Sequence, residues 1–264
     1  MKIRTKWALG LGAALMVISA GWPQGQESGA AKQPATTMHL AKDRSWLSVP
    51  VNLEVTGDYL EYLLVNPHGA MHESLLSTKV DAESLNTMLL VLGLKPGKNA
   101  EWRSVQENQA STQAGGARNQ PARETYEVIA PNGDGAFFYL AWFEGEERFF
   151  YRLEDLVRDL DRGRTMRRHA LVYLGSFMAQ GANGPVFSAT KEGNLINTAL
   201  MRNGSTLFTT GLVECDKQSN WLANAWLLPA RGSKLSLVIS TKVLHCAPGE
   251  LLTRMPQAIG EQRD

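Results

Sequence analysis

Cysteine is almost missing from this chain. Only Cys215 and Cys246 occur in 264 residues, too few for the four thiolates that usually hold an iron–sulfur cluster. There is no Cys-x-x-Cys pair, Gly-Lys-Ser/Thr phosphate loop, dinucleotide fingerprint or Gly-x-Ser-x-Gly elbow. These gaps argue against nucleotide enzymes and ordinary serine hydrolases. An excess of one charge is missing as well. The formal net charge is +1, and setting aside Lys2, Arg4 and Lys6 leaves 24 basic against 26 acidic residues. No basic face is required by those totals, so nucleic acid is not an expected partner. Nor is there a long apolar run after the N-terminus, or a repeat of fixed period.

What the chain does have starts with a leader. Lys2, Arg4 and Lys6 precede a continuous apolar stretch from Trp7 to Ala20, and Ile18-Ser19-Ala20 offers a small residue for cleavage. That stretch is about 14 residues, short of the roughly 20 a spanning helix needs. Residues 1–20 are therefore read as a signal peptide, with an uncleaved membrane anchor as the alternative. No cysteine stands near Ala20 to carry a lipid. Residues 21–45, rich in Gly, Gln, Ala and Pro, read as a flexible linker. A single β-rich domain is expected over 46–247, followed by a tail over 248–264 that is a loose helix or disordered. Both cysteines would then reach an oxidising compartment. Two readings stay open: a Cys215–Cys246 disulfide, worth roughly 3–4 kcal/mol by chain entropy, or two independent, half-buried thiols.

The domain is best read around Glu61 to Gly97. Tyr59 to Asn66 is an apolar run closed by Asn66-Pro67-His68-Gly69, a turn signal. Met71 to Val80 reads as the returning strand of a hairpin. Asp81 can cap a helix, and Leu85, Met88, Leu89 and Leu92 follow at helical spacing. Gly93 and Lys95-Pro96-Gly97 end it. Residues 98–123 read as an exposed loop insertion, with a lid as the less favoured alternative. Thr125 to Val128 alternates as a half-buried strand, and Pro131-Asn132-Gly133-Asp134-Gly135 reads as a hairpin turn. Ala136 to Phe143, AFFYLAWF, is apolar on both faces, as a fully covered central strand should be. Arg148 to Arg152 returns from it. Leu153, Leu156, Val157 and Leu160 are spaced for a short helix near 153–160.

Further strands are expected over Ala170–Met178 and Pro185–Ala189. Asn203-Gly204 predicts a hairpin pairing Leu195–Met201 with Thr206–Leu212. Leu222–Leu228 and Leu235–Ile239 predict a closing hairpin. The sum is a mainly antiparallel β protein of the α+β class, sandwich- or barrel-like, with one firm helix near 82–93.

EYLLVNPHGAMHESLL followed by LNTMLLVLGLKPG resembles the start of the YdjY-domain family of exported bacterial proteins. There a similar His-Glu-Ser strand leads into a leucine-rich helix ending in Gly-x-Lys-Pro-Gly. His169 to Phe177 is similar to the family's central apolar segment. Glu192-Gly193-Asn194-Leu195-Ile196 is similar to its Gly-Asp-Leu-Ile strand, with Asn194 in place of Asp. Trp226 to Val238 is similar to its closing hairpin. The resemblance spans roughly Val49 to Ser240. It implies an architecture and an exported location, and no reaction.

His72, Glu73 and Ser74 are the first candidates for chemistry. On a strand His72 and Ser74 share a face while Glu73 points away, at a spacing long for a direct Ser–His bond. The competing reading has His72 and Ser74 bonding the nearby turn while Glu73 pairs with a surface cation. A metal reading adds His68, so that His68, His72 and Glu73 would bind zinc or a related divalent transition metal. It needs His169 or His245 to complete the set. Asn132 to Gly135 faintly resembles a calcium loop without its closing Glu. Arg162, Arg164, Arg167 and Arg168 form a basic cluster that could meet anionic lipid or polysaccharide. The leading expectation is an exported, non-catalytic β-rich binding or scaffold module of unknown ligand, periplasmic or at the cell surface. Its partner would be a cell-envelope protein or polysaccharide, with no resident cofactor. The alternatives are a metal-dependent or hydrolytic site on His72 and Glu73, or, from the family's association with iron–sulfur proteins, an accessory to electron transfer.

Overall fold

The computed structural model describes residues 37–105, 125–182 and 184–259. The leader, most of the linker, the middle of the insertion and the last residues of the tail lie outside the described residues. Eight strands close into a barrel: β1 (Trp46–Leu53), β2 (Tyr62–Val65), β3 (Ser74–Ser77), β4 (Gly135–Glu144), β5 (Leu171–Tyr173), β6 (Asn194–Asn197), β7 (Phe208–Thr209) and β8 (Lys234–Ser240). Around the barrel they run β1-β8-β4-β5-β7-β6-β2-β3 and back to β1. Neighbours are antiparallel except β6–β7 and β2–β3, which are parallel. The fold is thus mainly β, and of the two expected architectures it is the barrel.

Alternation along the strands builds two cores. Leu47, Val49, Val51 and Leu53 of β1, Phe138, Leu140 and Trp142 of β4, and Leu235, Leu237 and Ile239 of β8 share one large buried cluster. Eight strands leave an interior that side chains can fill. Trp46, Tyr139, Ala141 and Val238 point the other way, into a second cluster with Leu251 and Met255 of the C-terminal segment. That outer layer is why AFFYLAWF is apolar on both faces. Glu147–Arg152 returns along β4 as expected. Helix α1 (Ala82–Val91) is capped by Asp81, whose carboxylate accepts from Ser84 N–H at 2.7 Å. It buries Ala82, Leu85 and Leu89 in the large cluster.

Several expectations are corrected. The 59–66 and 71–80 segments are not a hairpin: β2 and β3 are parallel neighbours, with Tyr62 opposite Ser74. Asn203-Gly204 does not join a hairpin either, because β6 and β7 pair in parallel through Ile196 and Phe208. The chain between them is drawn aside by Leu200 N–H to Cys215 O and by Asn99 Nδ2 to Met201 O. The strand over 170–178 shrinks to Leu171–Tyr173, since Gly175 and Ser176 both take positive φ. Helix 153–160 is a 3-10 turn over Leu153–Leu156 followed by a strand, Val157–Asp159. Val157 and Asp159 are buried on a ladder with Trp221–Ala223, so this segment closes a separate three-stranded sheet. For the same reason 222–228 does not pair with β8. Thr125–Ile129 pairs with Glu101–Val105 rather than with β4, giving the insertion a hairpin base.

The ends are more ordered than expected. Structure begins before Trp46, with His39–Leu40 pairing against β1. The tail carries helix α2 (Gly249–Leu252), and Gln257 bridges to Phe143.

Candidate functional site

The corner after β2 is where the motifs of the sequence meet. Asn66 N–H reaches Gly193 O at 2.6 Å, and its side-chain amide donates to Thr78 O and Val80 O at 2.8 and 2.7 Å. His68 donates from Nε2 to Thr190 O at 2.8 Å, and Ala70 N–H meets Asn194 Oδ1 at 3.1 Å. A Cβ on Gly69 would stand 2.5 Å from Gly193 O, a contact only glycine permits. The Asn-Pro-His-Gly turn and the Glu-Gly-Asn-Leu-Ile segment are therefore two halves of one interlocked corner, with the Asn194 amide oxygen as acceptor.

His72, Glu73 and Ser74 do not converge. Met71–Glu73 forms a 3-10 turn and only Ser74 enters the strand, so the shared face expected for His72 and Ser74 is lost. Ser74 is buried and its hydroxyl donates to Leu76 O at 2.9 Å. The His72 side chain is 79% exposed, with Nε2 3.2 Å from Glu73 Oε1. Burial and then the neighbouring Glu73 carboxylate push the Glu61 carboxyl above its ordinary range. No bond joins Ser74 to His72 among the described residues, so the geometry offers no nucleophile–base pair there.

His68 is turned to Thr190 O, away from a shared site with His72 and Glu73, and no three metal-ligating side chains gather among the described residues. His169 is held in its own network and His245 is exposed. Cys215 and Cys246 are both free in this structure, the first buried and the second exposed, so the disulfide expectation is not met. Burial pushes the Cys215 thiol up to about 12, which makes it inert. The basic cluster is paired in place, four guanidinium groups against three carboxylates. Arg162 pairs with Asp159, Arg164 and Arg167 with Glu214, and Arg168 with Asp155. Asp134 accepts from Lys95 N–H, tying the 131–135 turn to the loop after α1.

Sequence reasoning missed a large cleft among the described residues. It has a volume of about 600 Å³ and lies on the outer face of the barrel, between β1, β8, the start of α1 and both ends of the described chain. Met38, Pro50, Val80, Met88 and Pro256 supply apolar walls. Asn52, Ser236, Lys79 and Lys234 also line it, and none of these four side chains has a hydrogen-bond or ion-pair partner among the described residues. Ser236 is only 3% exposed, so its hydroxyl has the cleft as its outlet. Asp81 at the rim is committed to the α1 cap, and that bond to Ser84 N–H holds its carboxyl below the usual range. An apolar cleft with a few polar groups not committed to protein partners is the usual anatomy of a small-molecule site. Five separate segments of chain build it, and no motif in any of them announces it.

No protein-family model matches the chain, and neither a curated protein nor a solved structure does.

Proposed function

We propose that this chain is a non-catalytic binding module of the bacterial cell envelope, exported by its N-terminal leader, with the outer cleft of the barrel as its ligand site. The observation that carries the reading is the cleft itself: Asn52, Ser236, Lys79 and Lys234 are left without partners beside apolar walls. Ser236 is buried and its hydroxyl has no protein partner, which costs stability; a ligand in the cleft would supply that partner and meet Asn52 and the two exposed lysines at the same time. The charged leader before Trp7–Ala20 supports export. The resemblance to the YdjY-domain family supports the same location, and the interlocked corner supports an architectural role for His68 and its neighbours. A thermal-shift screen of envelope metabolites tests the reading, run on the wild type, on Ser84→Trp to fill the cleft, and on His72→Ala. Ligands should raise Tm in the wild type and His72→Ala and lose that effect in Ser84→Trp. Turnover of any substrate that His72→Ala abolishes without unfolding would overturn the proposal.

A further inference from the structure

Resting on that reading, we infer that the cleft takes a small anionic amphiphile: one molecule with a carboxylate or phosphate head and a short acyl or aromatic body. Its lining sorts the ligand's chemistry. Lys79 and Lys234 bring two ammonium groups to the cleft, and neither has an acidic partner among the described residues. Some other cations of this chain do face a carboxylate, as Lys217 does Asp161 at 2.7 Å and Arg168 does Asp155 at 2.6 Å. The one carboxylate on the rim, Asp81, already accepts from the α1 backbone. Two cations against one ionised carboxylate leave the lining with a single excess positive charge in a chain close to neutral overall. A charged head placed there exchanges hydration for two ammonium groups and for hydrogen bonds to Ser236 and Asn52.

The walls set the other half of the ligand. Met38, Val80 and Met88 are half-buried, flanked by Pro50 and Pro256. Methionine and proline present apolar surface without a hydrogen-bond donor, and methionine adapts to irregular shapes. A free inorganic anion would leave this surface wet, and a sugar would leave it unmatched. At about 600 Å³ the space suits a single small ligand.

Isothermal titration of the intact chain with sodium decanoate, decyltrimethylammonium and 1-decanol tests the inference. Decanoate should bind one to one with a Kd of about 10–500 μM, the range expected of a ligand of this size. It should exceed the cation and the alcohol by about tenfold or more. Lys79→Gln combined with Lys234→Gln should weaken decanoate about tenfold and leave decanol unchanged. Both lysines are exposed, so the double variant retains the fold, which its circular dichroism checks. If all three probes bind equally and Ser84→Trp abolishes all three, the cleft binds ligands of another class and the anionic assignment alone falls. If none binds and the envelope screen is also blank, the binding-module reading falls with it. Decanoate bound with unchanged affinity in Ser84→Trp would place it elsewhere and overturn the inference.

Discussion

His169 shows how far a single half-buried side chain can be constrained. Its Nδ1 lies 2.9 Å from Arg167 O and its Nε2 3.1 Å from Thr210 Oγ1. A carbonyl can only accept, so Nδ1 carries the proton and Nε2 receives the Thr210 hydroxyl. Thr210 Oγ1 in turn accepts from Leu212 N–H at 3.2 Å. A second proton on the ring would have to share an oxygen that already accepts from Leu212 N–H and would make the Thr210 hydroxyl turn its own proton away. Burial, the largest cause, lowers the imidazole pKa, although the Glu154 carboxylate pulls the other way and the Arg152 and Arg167 cations reinforce the fall. The folded pKa thus lies below the unfolded value, and between the two the unfolded chain binds more protons. Stability from this group is complete above the ordinary histidine value of 6.5 and is lost as pH falls below it. Urea unfolding at a series of pH values between 7.5 and 5.5 should show that loss. His169→Gln, which keeps a donor and an acceptor without titrating, should flatten the slope.

At the scale of elements, the corner between β2 and β3 decides the topology. Asn66 supplies both side-chain N–H groups to the carbonyls of Thr78 and Val80. Asn66→Ala would leave those two buried acceptors short, at about 1–3 kcal/mol each by the usual cost of an unmade bond. Denaturant titration should find a loss of about 2–4 kcal/mol, while His72→Ala, a few residues away and exposed, should change little. This corner also marks the limit of what the sequence made legible. Helix α1 and strand β4 were readable because their signals are local: a 3.6-residue stripe with an Asp cap, and an unbroken apolar run. Asn66-Pro67-His68-Gly69 and Asn203-Gly204 look like hairpin turns by the same local logic. Their glycines answer to remote partners instead, Gly69 to Gly193 O and Gly204 to the Asn99 side chain. Parallel pairing of β2 with β3 and of β6 with β7 follows from those distant contacts. The cleft was invisible for a related reason, since its walls are spread from Met38 to Pro256.

At the scale of the molecule, the larger of the two cores joins the barrel to helix α1 and to the sheet of Trp221. Trp142 is 1% exposed, stacks on Phe149 at 5.2 Å between ring centres and donates from its indole N–H to Glu144 at 2.9 Å. It belongs to the same cluster as the Leu85 face of α1 and the Trp221 sheet. Trp142→Ala should therefore cost about 3–5 kcal/mol. Secondary-structure and fluorescence probes should report a single shared transition, because no smaller unit is left to unfold separately. The seam of the barrel has a temporal meaning too. β1 lies along β8 over its whole span, from Trp46 opposite Ser240 to Asn52 opposite Lys234. A nascent chain therefore makes its first long strand almost two hundred residues before the ribosome supplies that strand's main neighbour. Until β8 emerges the cylinder stays open, and such late, long-range closure makes for slow folding. A polypeptide that cannot close before so distant a strand arrives remains threadable for that whole interval.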